Sequence, residues 1–165
     1  MGAGDAAAGG GVSETVTFLQ RRLQGTFEVD PWGLDLDLLD AVSPLADLRW
    51  SFTIDGEELL RDGPALLVAP RRLRAPSEPL VLAAAVYRTV GRPLRVLGIP
   101  DVAPLGPLLR RFGAAVDHPA EAASLLRAGH LVLSRHAIDV HAGIPVLTVE
   151  ARGWELGRRW HIAVR

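Results

Sequence analysis

The sequence has no cysteine, which excludes disulfide bonds, thiolate nucleophiles and cysteine-ligated metal sites. It also has no lysine, and all 18 basic side chains are arginine, so the abundance of arginine is by itself weak evidence for an anion site. The longest apolar run, residues 79–86, is far shorter than the ~20 residues that a membrane span needs. The net charge of −1 is unlike that of most nucleic-acid-binding domains, which are basic. We therefore expect no nucleic-acid partner.

The length and composition predict one globular domain. The chain has 165 residues, of which 48% are apolar and 22% charged, as in an ordinary soluble protein. Residues 1–11 are rich in glycine and alanine and lack the basic and apolar regions of a secretory signal. Ala6 also departs from the myristoylation pattern that would begin at Gly2. We predict a disordered tip over residues 1–11, one domain over residues 12–165 and a cytoplasmic location.

Two helices are predicted near the amino terminus. Ser13 can cap a helix over residues 13–24, because apolar side chains recur there at helical spacing. Residues 30–33, Asp-Pro-Trp-Gly, predict a turn, and a second helix should begin near Asp35. Pro44 should kink or end this second helix, because proline has no amide proton and clashes with the preceding turn.

Short apolar segments alternate with helical ones along the rest of the chain. The pattern predicts helices at residues 79–90 and 119–127, and a Pro/Gly-bounded segment at 104–112. It predicts strands at residues 50–54, 65–69, 94–97, 131–133, 144–149 and 160–164. In the last strand, Trp160, Ile162 and Val164 should face the core, and Arg159, His161 and Arg165 the solvent. The fold class that follows is α/β, with a mostly parallel sheet covered by helices on both faces and two amino-terminal helices.

Four segments occur in an order that points to a known family. Residues 63–69 read Gly-Pro-Ala-Leu-Leu-Val-Ala, and residues 78–82 read Glu-Pro-Leu-Val-Leu. A third block combines residues 95–98 with 104–113, and residues 128–133 read Ala-Gly-His-Leu-Val-Leu. In this order the segments resemble the glycerolipid (phospholipid/glycerol, lysophosphatidate-type) acyltransferase superfamily. The resemblance implies transfer of an acyl group from acyl-CoA or acyl-ACP to a glycerol hydroxyl, and a peripheral position on the inner face of the membrane.

The catalytic motif that the resemblance implies is not intact. The family's base is a histidine, oriented by an aspartate in a His-x4-Asp motif. Here Arg71 occupies the histidine position, and Glu78 lies near the aspartate position with a longer spacing. Arginine stays protonated at any working pH and cannot deprotonate a hydroxyl. The family's phosphate-binding block is also replaced by residues 134–137, Ser-Arg-His-Ala, and residues 134–143 are shortened before a Gly-Ile-Pro-Val segment that resembles the fourth block.

The candidate site residues follow from these departures, and each has a second interpretation. The candidates to bind the phosphate of CoA or of an acidic glycerolipid are four arginines: Arg71, Arg72, Arg74 and Arg135. The alternative for Arg71, Arg72 and Arg74 is a solvated surface loop. Glu78 is a degenerate catalytic position, or a carboxylate that stabilises a helix start. His136 is a candidate substitute base, with His118 as the alternative.

No metal site and no cofactor are predicted. On a helix, His136 and Asp139 would share a face while His141 would point elsewhere, which leaves too few converging ligands for zinc. The preferred hypothesis is an inactive acyltransferase-like protein, a pseudoenzyme of lipid metabolism that binds acyl-CoA, a lysophospholipid or a protein partner. The alternatives are an active lysophospholipid acyltransferase with a rebuilt site and a structural or protein-interaction module that binds no lipid.

Overall fold

A computed structural model of the protein describes residues 28–69, 77–100, 102, 105–154 and 156–165. The predicted tip over residues 1–11, the predicted helix over residues 13–24 and the arginines Arg71, Arg72 and Arg74 lie outside the described residues.

The described residues form seven strands, four α-helices and one short 3₁₀ helix. The first half contains α1 (Leu36–Arg49), β1 (Ser51–Asp55), the 3₁₀ helix (Glu57–Leu60), β2 (Ala65–Val68) and α2 (Glu78–Val90). The second half contains β3 (Leu94–Leu97), α3 (Leu105–Arg111), β4 (Ala114–Ala115), α4 (Pro119–Arg127), β5 (Leu131–Ser134), β6 (Val146–Gly153) and β7 (Arg159–Val164).

The strands form one sheet in the order β1-β7-β6-β2-β5-β3-β4. Every neighbouring pair is parallel except β6 and β7, which are antiparallel. The predicted α/β fold with a mostly parallel sheet is therefore confirmed. Strands β2 to β6 all end at one edge, which we call the carboxyl edge. Strands β1 and β7 run in the opposite direction and begin at that edge.

Helices cover both faces of the sheet, as predicted. On one face, Leu82 and Val86 of α2 pack against Leu67 of β2. On the other face, Leu125 of α4 packs in a cluster that includes Leu66 of β2. Successive side chains of a strand point to opposite faces, so a strand between two helix layers is apolar throughout. This explains why β2 and β5 read as continuous apolar runs and are buried at every position.

Helix α1 begins where the sequence predicts and does not end at its proline. The Asp35 side chain accepts a hydrogen bond from the Leu38 amide at 2.9 Å and caps the first turn. Of the two predicted effects of Pro44, a kink or an end of the helix, the end is wrong, because α1 continues to Arg49. The Asp40 carbonyl would normally accept from the amide of residue 44, and here it accepts from Ser43 Oγ at 3.2 Å. The side chain thus replaces the donor that proline lacks.

One strand prediction needs correction, and one strand was not predicted. Strand β6 begins at Val146, not at residue 144, and it continues to Gly153. Strand β4 was not predicted, because two residues are too few for a periodic pattern. The faces of β7 are as predicted, with Trp160, Ile162 and Val164 buried. Within the described residues, no helix is both long and apolar enough to cross a membrane.

Candidate functional site at the carboxyl edge of the sheet

Strands β2 and β5 are parallel neighbours, and they end side by side. Val68 is paired with Ser134, and the Ala69 amide extends the ladder by donating to the Ser134 carbonyl at 2.9 Å. The chain segments that follow the two strands therefore start next to each other at the carboxyl edge. In parallel α/β sheets, ligands bind outside this edge.

The turn after β5 is held by the hydroxyl of Ser134. Ser134 is buried, and its Oγ donates to the His136 carbonyl at 2.7 Å and accepts from the His136 amide at 3.2 Å. These two bonds give the backbone of residues 134–136 one defined conformation. As a result, Arg135 and His136 project from the end of a rigid, buried strand, and both are exposed to solvent.

His136 lies next to a carboxylate that sequence reasoning did not identify as part of a site. Its Nε2 is 3.7 Å from Oδ1 of Asp117, which follows β4 at the same edge. Asp117 in turn lies over Gly98, the residue after β3, because a Cβ on Gly98 would be 3.4 Å from Asp117 Oδ2. Both partners are exposed, so their attraction is screened by solvent. The pair is an accessible imidazole beside a carboxylate, the combination that general-base catalysis uses.

Glu78 is the first residue of α2, and its side chain is buried. It takes part in interactions within the fold. A carboxylate in the first turn is favoured by the partial positive charge of the helix amino terminus. The helix-start interpretation of Glu78 explains its position without any catalytic role.

The remaining predicted site residues do not come together. His118 caps α4, since its Nδ1 accepts from the Ala120 amide at 3.2 Å, and this bond occupies the nitrogen lone pair that a base would use. The segment that carries His136, Asp139 and His141 is not helical, so the shared helix face does not exist. Asp139 and His141 instead line a shallow cavity of about 120 Å³ against α4. Within the described part of the chain, no group of three or more potential metal ligands is found.

A second charged cluster lies on the α4 face, close to the amino ends of β3 and β5. Arg95 of β3 is completely buried and forms an ion pair with Asp30. Burial lowers the pKa of Arg95 to about 10. His130, just before β5, has a lowered pKa, mainly because it is partly buried and also because Arg95 and Arg92 are close. Its ring meets that of Trp32 edge to face at 5.3 Å.

Sequence reasoning missed this cluster and Asp117 for different reasons. Arg95 alternates with apolar residues in β3, a pattern that predicts a half-exposed strand. Its partner, Asp30, is 65 positions earlier in the chain, and no local pattern connects them. The sequence around Asp117 predicts only a helix start. The adjacent Asp117-His118-Pro119 segment offered a capping signal and no catalytic one.

Comparison with known proteins finds similar sequences in mycobacteria. The chain is 33% identical over 133 residues to uncharacterized proteins of Mycobacterium bovis and Mycobacterium tuberculosis. The alignment covers 73% of this chain and 37% of each relative, so the chain matches little more than a third of their length. No family model matches the sequence, and no solved structure matches it.

Proposed function

We propose that this protein is a degenerate member of the glycerolipid acyltransferase superfamily that binds an anionic acyl ligand at the carboxyl edge and does not transfer the acyl group. The ligand class is an acyl thioester of CoA or ACP, or an acidic glycerolipid such as a lysophospholipid. The single observation that carries the proposal is the parallel pairing of Val68 with Ser134. It supports the proposal because the two segments that depart from the family's catalytic blocks leave the sheet side by side.

The side chains of the two segments favour binding of an anion over movement of a proton. The segment after β2 contains Arg71, Arg72 and Arg74 in the sequence, and the segment after β5 begins with exposed Arg135. Arginine forks match the geometry of phosphate and carboxylate oxygens. Arginine at the position of the family's base cannot accept the hydroxyl proton.

Ligand binding can be tested by thermal shift and calorimetry with CoA, palmitoyl-CoA and lysophosphatidate. We expect the ligands to raise the melting temperature, because they bind the folded state. Replacing Arg135 by alanine should weaken binding about tenfold or more, since a charge-assisted hydrogen bond contributes roughly 1.5–3 kcal/mol. Replacing Arg71, Arg72 and Arg74 together should have a larger effect.

Arg127→Ala is the matched control for Arg135→Ala. Arg127 is an exposed arginine in the last turn of α4, just before β5 begins at the opposite edge of the sheet. Its replacement should leave ligand binding unchanged. Equal losses in the two variants, or no stabilisation by any of the three ligands, would contradict the proposal and favour a protein-interaction module.

A second candidate function is supported by the distance of 3.7 Å between His136 Nε2 and Asp117 Oδ1. In an active acyltransferase with a rebuilt site, His136 would take the proton of the acceptor hydroxyl and Asp117 would orient the ring. Acyl transfer from palmitoyl-CoA to lysophosphatidate distinguishes the two candidates. Turnover that is lost in both His136→Ala and Asp117→Asn but retained in His141→Ala would establish the enzyme and overturn the pseudoenzyme. We expect no turnover above the protein-free rate.

A further inference from the structure

The most exposed large apolar side chains of the described residues converge on one corner of the fold. Leu48, Leu156 and Trp154 are 73%, 71% and 68% exposed, more than any other large apolar side chain described. Leu48 is in the last turn of α1, and the other two are in the turn between β6 and β7. We call these three residues the Trp154 corner.

Hydrogen bonds join the two elements that carry the corner. Arg49 Nη1 donates to the Gly157 carbonyl at 2.9 Å, and Arg158 Nη2 donates to the Leu48 carbonyl at 3.1 Å. Within the turn, the Gly157 amide donates to the Trp154 carbonyl at 2.7 Å. The end of α1 and the β6–β7 turn are therefore held together as one surface.

The corner projects beyond the carboxyl edge of the sheet. Val68, the last residue of β2, is paired with Thr148 of β6, and β6 continues from there to Gly153. At about 3.3 Å per residue, this extension carries the β6–β7 turn roughly 16 Å past the end of β2. Strand β1 begins at the same edge, so the end of α1 lies there as well. The corner is thus at the same edge as the candidate binding site, on the side of β6, β7 and β1.

Among the described residues around the corner, the charged side chains without an oppositely charged partner are arginines. Arg158 and Arg159 are exposed, and among the described residues neither has a carboxylate partner. The nearby carboxylates of Asp47 and Glu150 are paired with Arg88 and Arg152. One further carboxylate in this stretch of sequence, Glu155, lies outside the described residues.

We propose that the Trp154 corner is a docking surface for a membrane that contains anionic phospholipids. Tryptophan is favoured at the membrane interface because its ring is apolar and its N–H is polar. Exposed leucines beside it add buried apolar area, and arginines near an anionic surface add electrostatic attraction. The proposal is independent of the acyl-ligand function, but docking here turns the carboxyl edge of the sheet toward the bilayer.

The test is co-sedimentation of the full chain with large unilamellar vesicles. One set contains phosphatidylcholine alone, and the other contains phosphatidylcholine mixed with phosphatidylglycerol. We expect binding to the mixed vesicles, with a blue shift of tryptophan fluorescence, and weaker binding at high salt because the charges are screened. The double variant Trp154→Ser/Leu48→Ser should bind at least about tenfold more weakly, since it loses two apolar side chains from the contact.

Leu59→Ser is the matched control for the leucine. Leu59 is also exposed, but it lies in the 3₁₀ helix that follows β1 at the opposite edge of the sheet. The Leu59→Ser variant should bind vesicles as strongly as the unchanged protein does. Circular dichroism must show the fold of every variant to be intact. The shift of melting temperature by CoA should survive Trp154→Ser, which separates failure of this proposal from failure of the proposed function.

Three results would overturn the proposal. The first is absence of binding to the mixed vesicles, and the second is equal weakening by Leu59→Ser and by the double variant. The third is a dimer in sedimentation experiments without vesicles that Trp154→Ser converts to a monomer, which would assign the corner to a second copy of the chain.

Discussion

The guanidinium group of Arg95 is buried between the sheet and the loop before α1, where it forms an ion pair with Asp30. Oδ1 of Asp30 accepts hydrogen bonds from the amides of Trp32 and Leu34, both at 2.9 Å. One carboxylate therefore shapes the turn at residues 30–33 and attaches it to the centre of the fold. The positive charge of Arg95, in the interior of the fold, is thus compensated by the carboxylate of Asp30 in a surface loop.

Replacing Asp30 by asparagine should strongly destabilise the protein. Asparagine can keep the Oδ1 acceptor for Trp32 and Leu34 but removes the charge opposite Arg95, and breaking a buried pair costs about 3 kcal/mol or more. Urea unfolding of Asp30→Asn measures the loss. Asp62→Asn, at an exposed aspartate, should change the free energy of unfolding by less than about 0.5 kcal/mol.

The charge explanation has its own test in a double variant. Adding Arg95→Met to Asp30→Asn removes the buried charge and should recover part of the lost stability. If the loss of unfolding free energy in the double variant equals the sum of the losses in Asp30→Asn and Arg95→Met, the unpaired charge is not the cause of the instability.

His130 should make the protein less stable as the pH falls from neutral. Its folded-state pKa lies below the ordinary value of 6.5 because of burial and the charges of Arg95 and Arg92. Below that ordinary value the unfolded chain binds more protons than the folded one, so the stability contributed by neutral His130 is present above pH 6.5 and is lost as the pH falls through the folded pKa.

Thermal unfolding of His130→Phe at a series of pH values checks this effect. Phenylalanine keeps an aromatic ring beside Trp32 but does not titrate, so the fall in melting temperature between neutral and mildly acidic pH should become smaller. His141→Phe, at an exposed position, should retain the full pH dependence. An unchanged slope in His130→Phe would show that another group causes it.

Gly56→Ala should be more destabilising than Gly63→Ala. Both glycines have a positive φ, 83° and 67°, so alanine costs about 1 kcal/mol at either position. A Cβ on Gly56 would also lie 2.2 Å from the carbonyl oxygen of Val164, whereas nothing lies within 4 Å of a Cβ on Gly63. The free energies of unfolding in urea should differ by about 1–3 kcal/mol. Equal free energies of unfolding for the two variants would mean that β7 moves away from the new Cβ at residue 56 without an energetic cost.

Pro44→Ala should stabilise α1 and make Ser43 dispensable. Alanine restores an amide donor to the Asp40 carbonyl and removes a residue that is unfavourable inside a helix. Ser43→Ala alone should cost about 0.5–1 kcal/mol, because it removes the substitute donor at 3.2 Å. In the Pro44→Ala background the same serine change should cost little. A double-variant cycle measured by urea unfolding gives the coupling.

The fold was largely predictable because its elements have strong local signals. The α4 segment has a proline at its first position, Glu121 in its first turn and Gly129 just past its end, which are sufficient to define a helix. The buried strands β2 and β5 are short apolar runs between such helices. The end of α1 was not predictable by the same rules. The Ser43 hydroxyl replaces the donor that Pro44 lacks, and this depends on side-chain geometry.

The candidate site was predictable only in part. The sequence indicated that arginines follow strands β2 and β5. It did not indicate Asp117, because the contact with His136 requires β4 and β5 to end at the same edge with β3 between them. It did not indicate the Trp154 corner either, because the exposure of Leu48, Trp154 and Leu156 depends on where α1 ends against the β6–β7 turn.

By itself, the sequence determined the alternation of strands and helices, and with it the α/β class, because hydrophobic periodicity and helix capping act over a few neighbouring residues. It also determined that the chain has no cysteine and no lysine. Only the tertiary structure decided which carboxylate pairs with Arg95, which one lies beside His136 and which apolar side chains remain exposed. These relationships join residues far apart in the chain, and the order of strands in the sheet brings them together.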